Sequence, residues 1–339
     1  MINLFGLSRT SLEGEMLARG RPAFRGRQIF RWMYARGAAS FEAMTDLPRK
    51  LRDELAHDYV IRLPNVRSRR ASIDGTIKYQ LSLQDGRNVE TVYIPDGKRH
   101  TFCLSTQVGC PLKCSFCFTG TIGLERNLTV GEILGQYRLA LGDREIAPAR
   151  RNIVFMGMGE PLLNQEAVIE ALRILTDEDG YGVSPRRITV STAGLPAELE
   201  DFAKNAPAVG LAISLHATTD SSRDRIMPIN RAHPLGELLA VARNLPLPRR
   251  RRITFEYVLL EGENDTAADA SRLAGLLQGI RAKVNLITYN PWPGSPHRRS
   301  TDEKTDRFVD LLTTSGLTVS LRRSRGDDVL AACGQLANR

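Results

Sequence analysis

With 339 residues, 42% of them hydrophobic and 25% charged, the chain has the composition of an ordinary soluble globular protein and enough length for a large core. No apolar run approaches the ~20 residues of a membrane span, which excludes an integral helical membrane protein. A net charge of +9 and a pI of about 9.6 favour a polyanionic partner, because each Lys or Arg that neutralises a phosphate releases a counterion.

The opening MINLFGLSRT has neither the basic start nor the apolar stretch of a secretory leader. The expectation is therefore a cytoplasmic protein with reduced thiols. Helices are predicted over Ser8–Ala18, capped by Ser8 or Ser11, and over Arg49–His57. Between them Arg25–Arg36 places Ile29, Phe30, Met33 and Tyr34 at helical spacing and stops at Gly37. Strand-like runs at Thr76–Leu83 and Asn88–Ile94, punctuated by Asp74–Gly75 and Asp85–Gly86, predict a β-meander. Residues 1–95 thus read as a basic accessory module of helices followed by a meander.

From Thr101 onward strands alternate with helices. The strands are Thr101–Thr106, Asn152–Met156, Arg187–Thr192, Val209–Leu215, Ile253–Leu260, Lys283–Thr288 and Leu317–Arg322. The helices are Thr129–Ala140, Gln165–Leu175, Leu195–Lys204, Leu235–Arg243, Thr266–Leu277 and Thr301–Thr314. Such alternation implies parallel strands of an α/β fold. Six or so repeats fall short of a closed eight-stranded barrel, so 96–339 is expected to form a partial, open (βα)6 barrel.

The unusual residues collect at the carboxyl ends of these strands. Cys110, Cys114 and Cys117, in GCPLKCSFCFTG, follow the first. Gly157, Gly159 and Glu160, in MGMGEP, follow the second, Ser191 and Thr192 close the third, and Ser214 and His216 end the fourth. Asn290 follows the sixth, and Cys333 lies shortly after the last. Loops at these ends converge on one mouth in βα barrels, so residues far apart in sequence would face one cavity. The C-x3-C-x2-C spacing places three thiols in one short loop. Completed by a distant fourth ligand it would be a structural zinc knuckle; left with one open metal position it would be a reactive iron–sulfur centre. Glycines beside the Glu160 carboxylate either make a tight turn or offer a seat for an ammonium group. His216 is either a structural histidine or a ligand contact, and Asn290 before Pro291 is either turn chemistry or a contact. Cys103 and Cys333 are either small buried hydrophobes or, if apposed, a redox or nucleophilic pair. Arginines cluster at Arg25, Arg27 and Arg31; at Arg67, Arg69 and Arg70; at Arg249–Arg252; at Arg298 and Arg299; and at Arg322, Arg323 and Arg325. Several such clusters on one chain point to nucleic acid.

These motifs together resemble a known family. CLSTQVGCPLKCSFCFTG, GLERNLTVGEILGQ, NIVFMGMGEPLLN, ISLHATTD, RDRIMPIN, TFEYVLL, VNLITYNPWPGSP and SRGDDVLAACGQL are similar to the radical SAM adenine-C2 RNA methyltransferases of the RlmN type, and FRGRQIFRWMY and VETVYIP extend the resemblance to the N-terminal part. Phe118 departs from the pattern, standing where many relatives carry a smaller or polar residue, and leaves the ligands intact. The resemblance implies a [4Fe-4S] cluster on Cys110, Cys114 and Cys117, whose open iron binds S-adenosylmethionine, two molecules of which are used per turnover. It implies cofactor contacts at Gly159, Glu160, Ser191, Ser214, Leu215, His216 and Asn290. It further implies that Cys333 accepts a methyl group, which a 5'-deoxyadenosyl radical activates for addition to C2 of adenine. Cys103 would resolve the adduct as a disulfide with Cys333, and Glu90 would accept the proton. Adenine 2503 of 23S rRNA and adenine 37 of tRNAs are the implied substrates, gripped by the basic N-terminal module. An electron donor such as flavodoxin or ferredoxin, a thiol reductant for the disulfide, no membrane partner and a monomeric state complete the expectation. The competing readings are a Cfr-type adenine-C8 methyltransferase, to which GMGEPLLN and RGDDVLAACGQL are less similar, and a non-catalytic metal-stabilised RNA-binding protein.

Overall fold

Local signals account for the N-terminal helices. The computed structural model describes residues 1–337 apart from 143, 145 and 249; Arg249, first of the run Arg249–Arg252, therefore lies outside the described residues. β1 (Ile2–Asn3) opens the chain, and α1 (Arg9–Ala18) starts at Ser8, whose hydroxyl accepts the Ser11 N–H. α2 (Phe24–Tyr34) buries Ile29, Phe30, Met33 and Tyr34, the set the spacing predicts. Gly26 lets α2 lie against α1, since a Cβ there would sit 2.4 Å from the Leu12 carbonyl oxygen. α3 (Arg49–Asp58) buries Leu51 and Leu55 and leads into β2 (Tyr59–Val60), which pairs with β1.

β3 (Asn65–Ala71), β4 (Ile77–Ser82), β5 (Asn88–Asp96) and β6 (Arg99–Cys103) form the antiparallel meander. β3 escapes prediction because NVRSRRA has no apolar alternation; it is a wholly exposed or half-exposed edge strand. β7 (Gln107–Gly109) and β8 (Leu124–Asn127) pair as a small ribbon that pinches off the cysteine loop. The remaining elements are α4 (Val130–Leu141), β9 (Arg151–Phe155), α5 (Gln165–Thr176), β10 (Ile188–Thr192), α6 (Pro196–Asn205), β11 (Gly210–Ser214), α7 (Asp220–Ile226), α8 (Leu235–Asn244), β12 (Ile253–Leu259), α9 (Ala267–Leu276), β13 (Ala282–Thr288), α10 (Asp302–Thr314) and β14 (Val319–Arg322).

All the larger strands belong to one ten-stranded sheet in the order β14-β13-β12-β11-β10-β9-β6-β5-β4-β3. Pairing is parallel from β6 to β14, each crossover carrying a helix, and antiparallel from β6 to β3. Cys103 at the end of β6 and Arg322 at the end of β14 line the same cavity, so the parallel part curls into an incomplete barrel, as expected. The meander departs from the expected division. Residue 95/96 falls inside β5, and the sheet runs through it without a break. One apolar core, from Leu4 to Leu336, joins the helical module, the meander and the barrel. Among the described residues no helix is long and apolar enough to cross a membrane.

Candidate active site

The cysteine loop is shaped by glycines that only a bare backbone can satisfy. Gly109 has φ 77°, and a Cβ there would overlap the Gly123 carbonyl oxygen at 1.7 Å; a Cβ on Gly120 would sit 2.8 Å from the Cys114 carbonyl oxygen. Cys110 N–H donates to Gly123 O and Cys117 N–H to Cys114 O, closing the loop on itself. Cys110, Cys114 and Phe116 pack against Leu112, Ile226, Met227 and Tyr289. Burial pushes all three thiols up, Cys110 to about 12, and Cys114 is raised further by the charges of Cys117 and Cys110. The three sulfurs therefore share one space, and a bound metal would supply the positive charge that makes them thiolates. Among the described residues no three His, Cys, Asp or Glu side chains are grouped as ligands of a single ion. Three cysteines of one buried loop, on the wall of a cavity able to seat a further ligand, fit a four-iron cluster held by three thiolates.

Facing this loop are the strand ends of the barrel. Gly157 and Gly159 do more than free the backbone: a Cβ on either would strike β6–β7, at Ser105 Oγ (2.5 Å) or Gln107 Cβ (2.6 Å). Glu160 is 3% exposed; its Oε2 accepts the Ala193 N–H at 2.8 Å and its Oε1 the Leu162 N–H at 3.0 Å. Burial raises its carboxyl to about 7. Each oxygen keeps acceptor capacity toward the cavity it lines, which suits an ammonium group. His216 adopts φ 57°, an unusual conformation for a non-glycine residue, and accepts the Val258 N–H at Nδ1, 3.0 Å. Burial, aided by the Arg223 charge, lowers its imidazole to about 3. The ring is thus neutral with its proton on Nε2, a donor on the cavity wall, and Phe116 meets it edge-on at 4.8 Å. Ser191 and Ser214 line the same wall.

A C-terminal segment, 323–337, crosses the mouth and brings Cys333 in. Asn290 Nδ2 donates to the Cys333 carbonyl (3.1 Å), while its Oδ1 accepts from Ser324 and Arg299. Gln335 Nε2 donates to Pro291 O and to Asp327 Oδ1, both 2.7 Å. From the cysteine loop, Phe118 N–H donates to Gly334 O (2.7 Å) and Thr119 Oγ1 to Leu336 O (2.6 Å). Phe118 stacks on Trp292 at 4.7 Å, so the residue that departs from the family pattern is used in tying the loop to the turn after β13. Cys103 and Cys333 are both free thiols on the cavity wall. Cys333 is reached by solvent from the cavity, yet the protein around it pushes its thiol up. Burial and then the Cys333 charge push Cys103 up to about 12.

Two expected site residues lie off the cavity wall. Leu215 is fully buried and takes part through its backbone, its N–H on Glu256 O and its carbonyl on Arg223 Nε. Glu90 is 1% exposed behind the C-terminal segment, its Oε2 accepting the Ala337 N–H (3.0 Å) and its Oε1 paired with Lys78 Nζ (3.2 Å). Lys78, 5% exposed, also donates to Leu330 O at 3.0 Å. Three polar residues are placed in or behind the cavity without a sequence signal read as such, Arg322 among them, which its arginine cluster assigned to nucleic acid. Glu256, in mid-β12, points a buried carboxylate into the cavity and accepts from Asn285 Nδ2 (2.6 Å); Arg322 faces it from β14. Arg223, fully buried, donates to Ala193 O, Ser214 O, Leu215 O and Asn230 Oδ1, clamping the ends of β10 and β11 behind His216. A charged residue inside a strand pattern (ITFEYVL) was the available signal for Glu256.

Residues 104–274 match the radical SAM superfamily, and residues 2–61 match the ribosomal RNA large subunit methyltransferase N-terminal domain. The chain is 50% identical to the dual-specificity RNA methyltransferase RlmN of Geobacter sulfurreducens, over 100% of this chain and 93% of that one. It is 49% identical to the protein of the same name from Anaeromyxobacter dehalogenans, over 94% and 87%. A crystal structure of a radical SAM methyltransferase from Sphaerobacter thermophilus superposes with TM-score 0.94 at 43% identity, covering both chains completely.

Proposed function

The chain belongs to the RlmN family of radical SAM RNA methyltransferases, and from that premise we propose that it methylates C2 of an adenine in RNA with Cys333 as the carrier of the methyl carbon. Its cofactors are a [4Fe-4S] cluster and S-adenosylmethionine. The observation that carries the reading is the meeting, on one cavity wall, of the three-cysteine loop, Glu160 and the two separate thiols Cys103 and Cys333. A purely RNA-binding protein has no use for that pair.

When bound, the cluster and S-adenosylmethionine supply a methyl group and a carbon-centred radical. Cys110, Cys114 and Cys117 hold the cluster. Glu160 takes the ammonium group, the Nε2–H of His216 and the hydroxyls of Ser191 and Ser214 offer further polar contacts, and Asn290 holds the Cys333 backbone so that its sulfur is presented inward. Leu215 contributes as part of the backbone clamped by Arg223. C2 of adenine is electron-poor and bears no lone pair, so a carbon carried on sulfur must be delivered to it. The Cys103 thiolate then attacks the Cys333 sulfur: the S–S bond forms, the bond from that sulfur to the transferred carbon breaks, the carbon takes up a proton to become the methyl group, and an external thiol reopens the disulfide. Glu90 can accept the C2 proton only after Ala337 has left it, so this role requires the C-terminal segment to lift. Adenines of 23S rRNA and tRNA, each brought out of its stack, are the substrates; a flavodoxin or ferredoxin, a cytoplasmic setting and a monomer complete the proposal.

The test is mass spectrometry of nucleosides from rRNA and tRNA treated with anaerobically purified, reduced protein. 2-Methyladenosine supports the reading and 8-methyladenosine overturns it in favour of C8 chemistry. A colourless protein with one zinc, in place of a brown one with about four irons, ends both. Cys333→Ala should abolish turnover with the cluster intact, and Cys103→Ala should leave protein covalently attached to RNA.

A further inference from the structure

Six arginines of the helical module are spent on carboxylates, whereas Arg25 and Arg52 reach backbone carbonyls and Arg49 meets no partner among the described residues. In the helical module Arg9 pairs with Asp177 and Asp179, Arg19 with Asp58, Arg21 with Glu54, Arg27 with Glu13, Arg31 with Asp179 and Arg36 with Asp46, at 2.7 to 3.8 Å. A phosphate would have to displace those partners. The edge strand β3 differs. Arg67, Arg69 and Arg70 are exposed and have no side-chain partner among the described residues; Arg69 and Arg70 lie on opposite faces of the strand, and Arg67 sits at the bulge between Val66 and Ser68. Arg323, exposed at the cavity mouth, is equally free.

These cations are held on the frame that holds Cys333. The turn after β3 is fastened to the C-terminal segment: Asp74 accepts the Gly326 N–H (2.9 Å) and the Thr76 N–H (2.8 Å), and Ile73 N–H donates to Asp328 (3.3 Å). At the tip of that fixed turn Ile73 is 98% exposed. A lone surface aliphatic is ordinary, and arginines on an edge strand also discourage edge-to-edge pairing. Neither accounts for a stiff β-branched side chain held outward by a turn that is hydrogen-bonded to the segment whose Arg323 and Arg325 line a cavity that must admit an unstacked base.

We propose that β3, the turn after it and Arg323 form the RNA-docking rim, with Arg67, Arg69 and Arg70 on phosphates and Ile73 wedged into the base stack beside the extruded adenine. The proposal rests on the RNA-methyltransferase reading and relocates the grip from the helical module to the sheet edge. Apolar wedges that unstack a base step are a recurrent device, and phosphate contacts set the register.

The experiment uses the full, cluster-loaded chain and a fluorescent stem–loop RNA with 2-aminopurine at its one unpaired adenine position, titrated at several salt concentrations. The triple variant R67Q/R69Q/R70Q should flatten the slope of log K against log salt by about two to three and weaken binding about tenfold or more. The control R21Q/R27Q, whose arginines are already paired, should change it by less than one. Ile73→Ser should keep the parent slope but lose most of the 2-aminopurine fluorescence rise on binding. A parental slope in the triple variant, or an undiminished rise in Ile73→Ser, overturns the rim. A parent protein without salt-sensitive RNA binding overturns the RNA reading itself. Unchanged cluster absorbance and melting temperature in each variant show that the fold is intact.

Discussion

Replacing Lys78 by Met tests what holds Cys333 in place. Lys78 on β4 lies diagonally across from Glu90 on β5, and the pair is almost completely buried, with side-chain exposures of 6% and 1%. Together they grip both ends of the carrier segment, the ammonium on Leu330 O and the carboxylate on the Ala337 N–H. The other ties to residues 333–336 are neutral hydrogen bonds, from Phe118, Thr119, Asn290 and Gln335, worth about 1 kcal/mol each. Removing one member of a buried pair costs roughly 3–5 kcal/mol, as much as those four bonds together. Lys78→Met should therefore let the segment open without unfolding the barrel. Exchange of the Ala337 amide, followed by hydrogen–deuterium exchange of a peptide covering 327–337, should quicken by roughly 100- to 4,000-fold, since 3–5 kcal/mol is about two to three and a half factors of ten. Glu90→Gln should quicken it too, and the double variant should cost less than the sum of the single ones, because it removes the stranded charge as well as the bond. Exchange in Lys78→Met within about fivefold of the parent, the ~1 kcal/mol of an exposed pair, would refute the reasoning, as would strict additivity.

Other expectations follow from the cavity wall. Glu160, with its carboxyl raised by burial to about 7, offers a charge to an ammonium group only when ionised. S-adenosylmethionine affinity, measured by calorimetry, should fall as pH drops from 8 to 6 across that value (roughly one unit either side of it), and Glu160→Gln should bind weakly with no such slope; a parallel slope in the variant would rule Glu160 out as its source. Arg223→Lys keeps the charge but cannot reach three carbonyls and Asn230 at once, and stranded buried carbonyls should lower stability by roughly 2–4 kcal/mol in urea unfolding. A loss below about 0.5 kcal/mol, the range of a surface substitution, would mean that the clamp is dispensable. His216→Val should be less stable than His216→Asn by about 1–3 kcal/mol, because a β-branched residue resists φ 57° whereas Asn tolerates it; equal midpoints would show that the turn relaxes freely.

The cysteine spacing, the strand–helix alternation and the placing of Glu160, Ser191, His216, Asn290 and Cys333 at or after strand ends were all legible along the chain. Each is a local pattern whose period or position reports on its own element. β3 was not legible, because an edge strand with nothing to bury carries no alternation. Tertiary structure alone decided that Glu90 lies beneath the carrier segment with Lys78, that Glu256 and Arg322 face each other in the lumen, and that Arg223 ties two strand ends together. It alone decided which arginines are free. Arg27 meets Glu13 because α1 and α2 pack side by side, and Arg31 meets Asp179 because the turn after α5 comes up to α2, while Arg69 meets no carboxylate because its strand is the last in the sheet. A sequence records that a residue is charged; whether that charge is spent depends on which distant segment folding brings beside it.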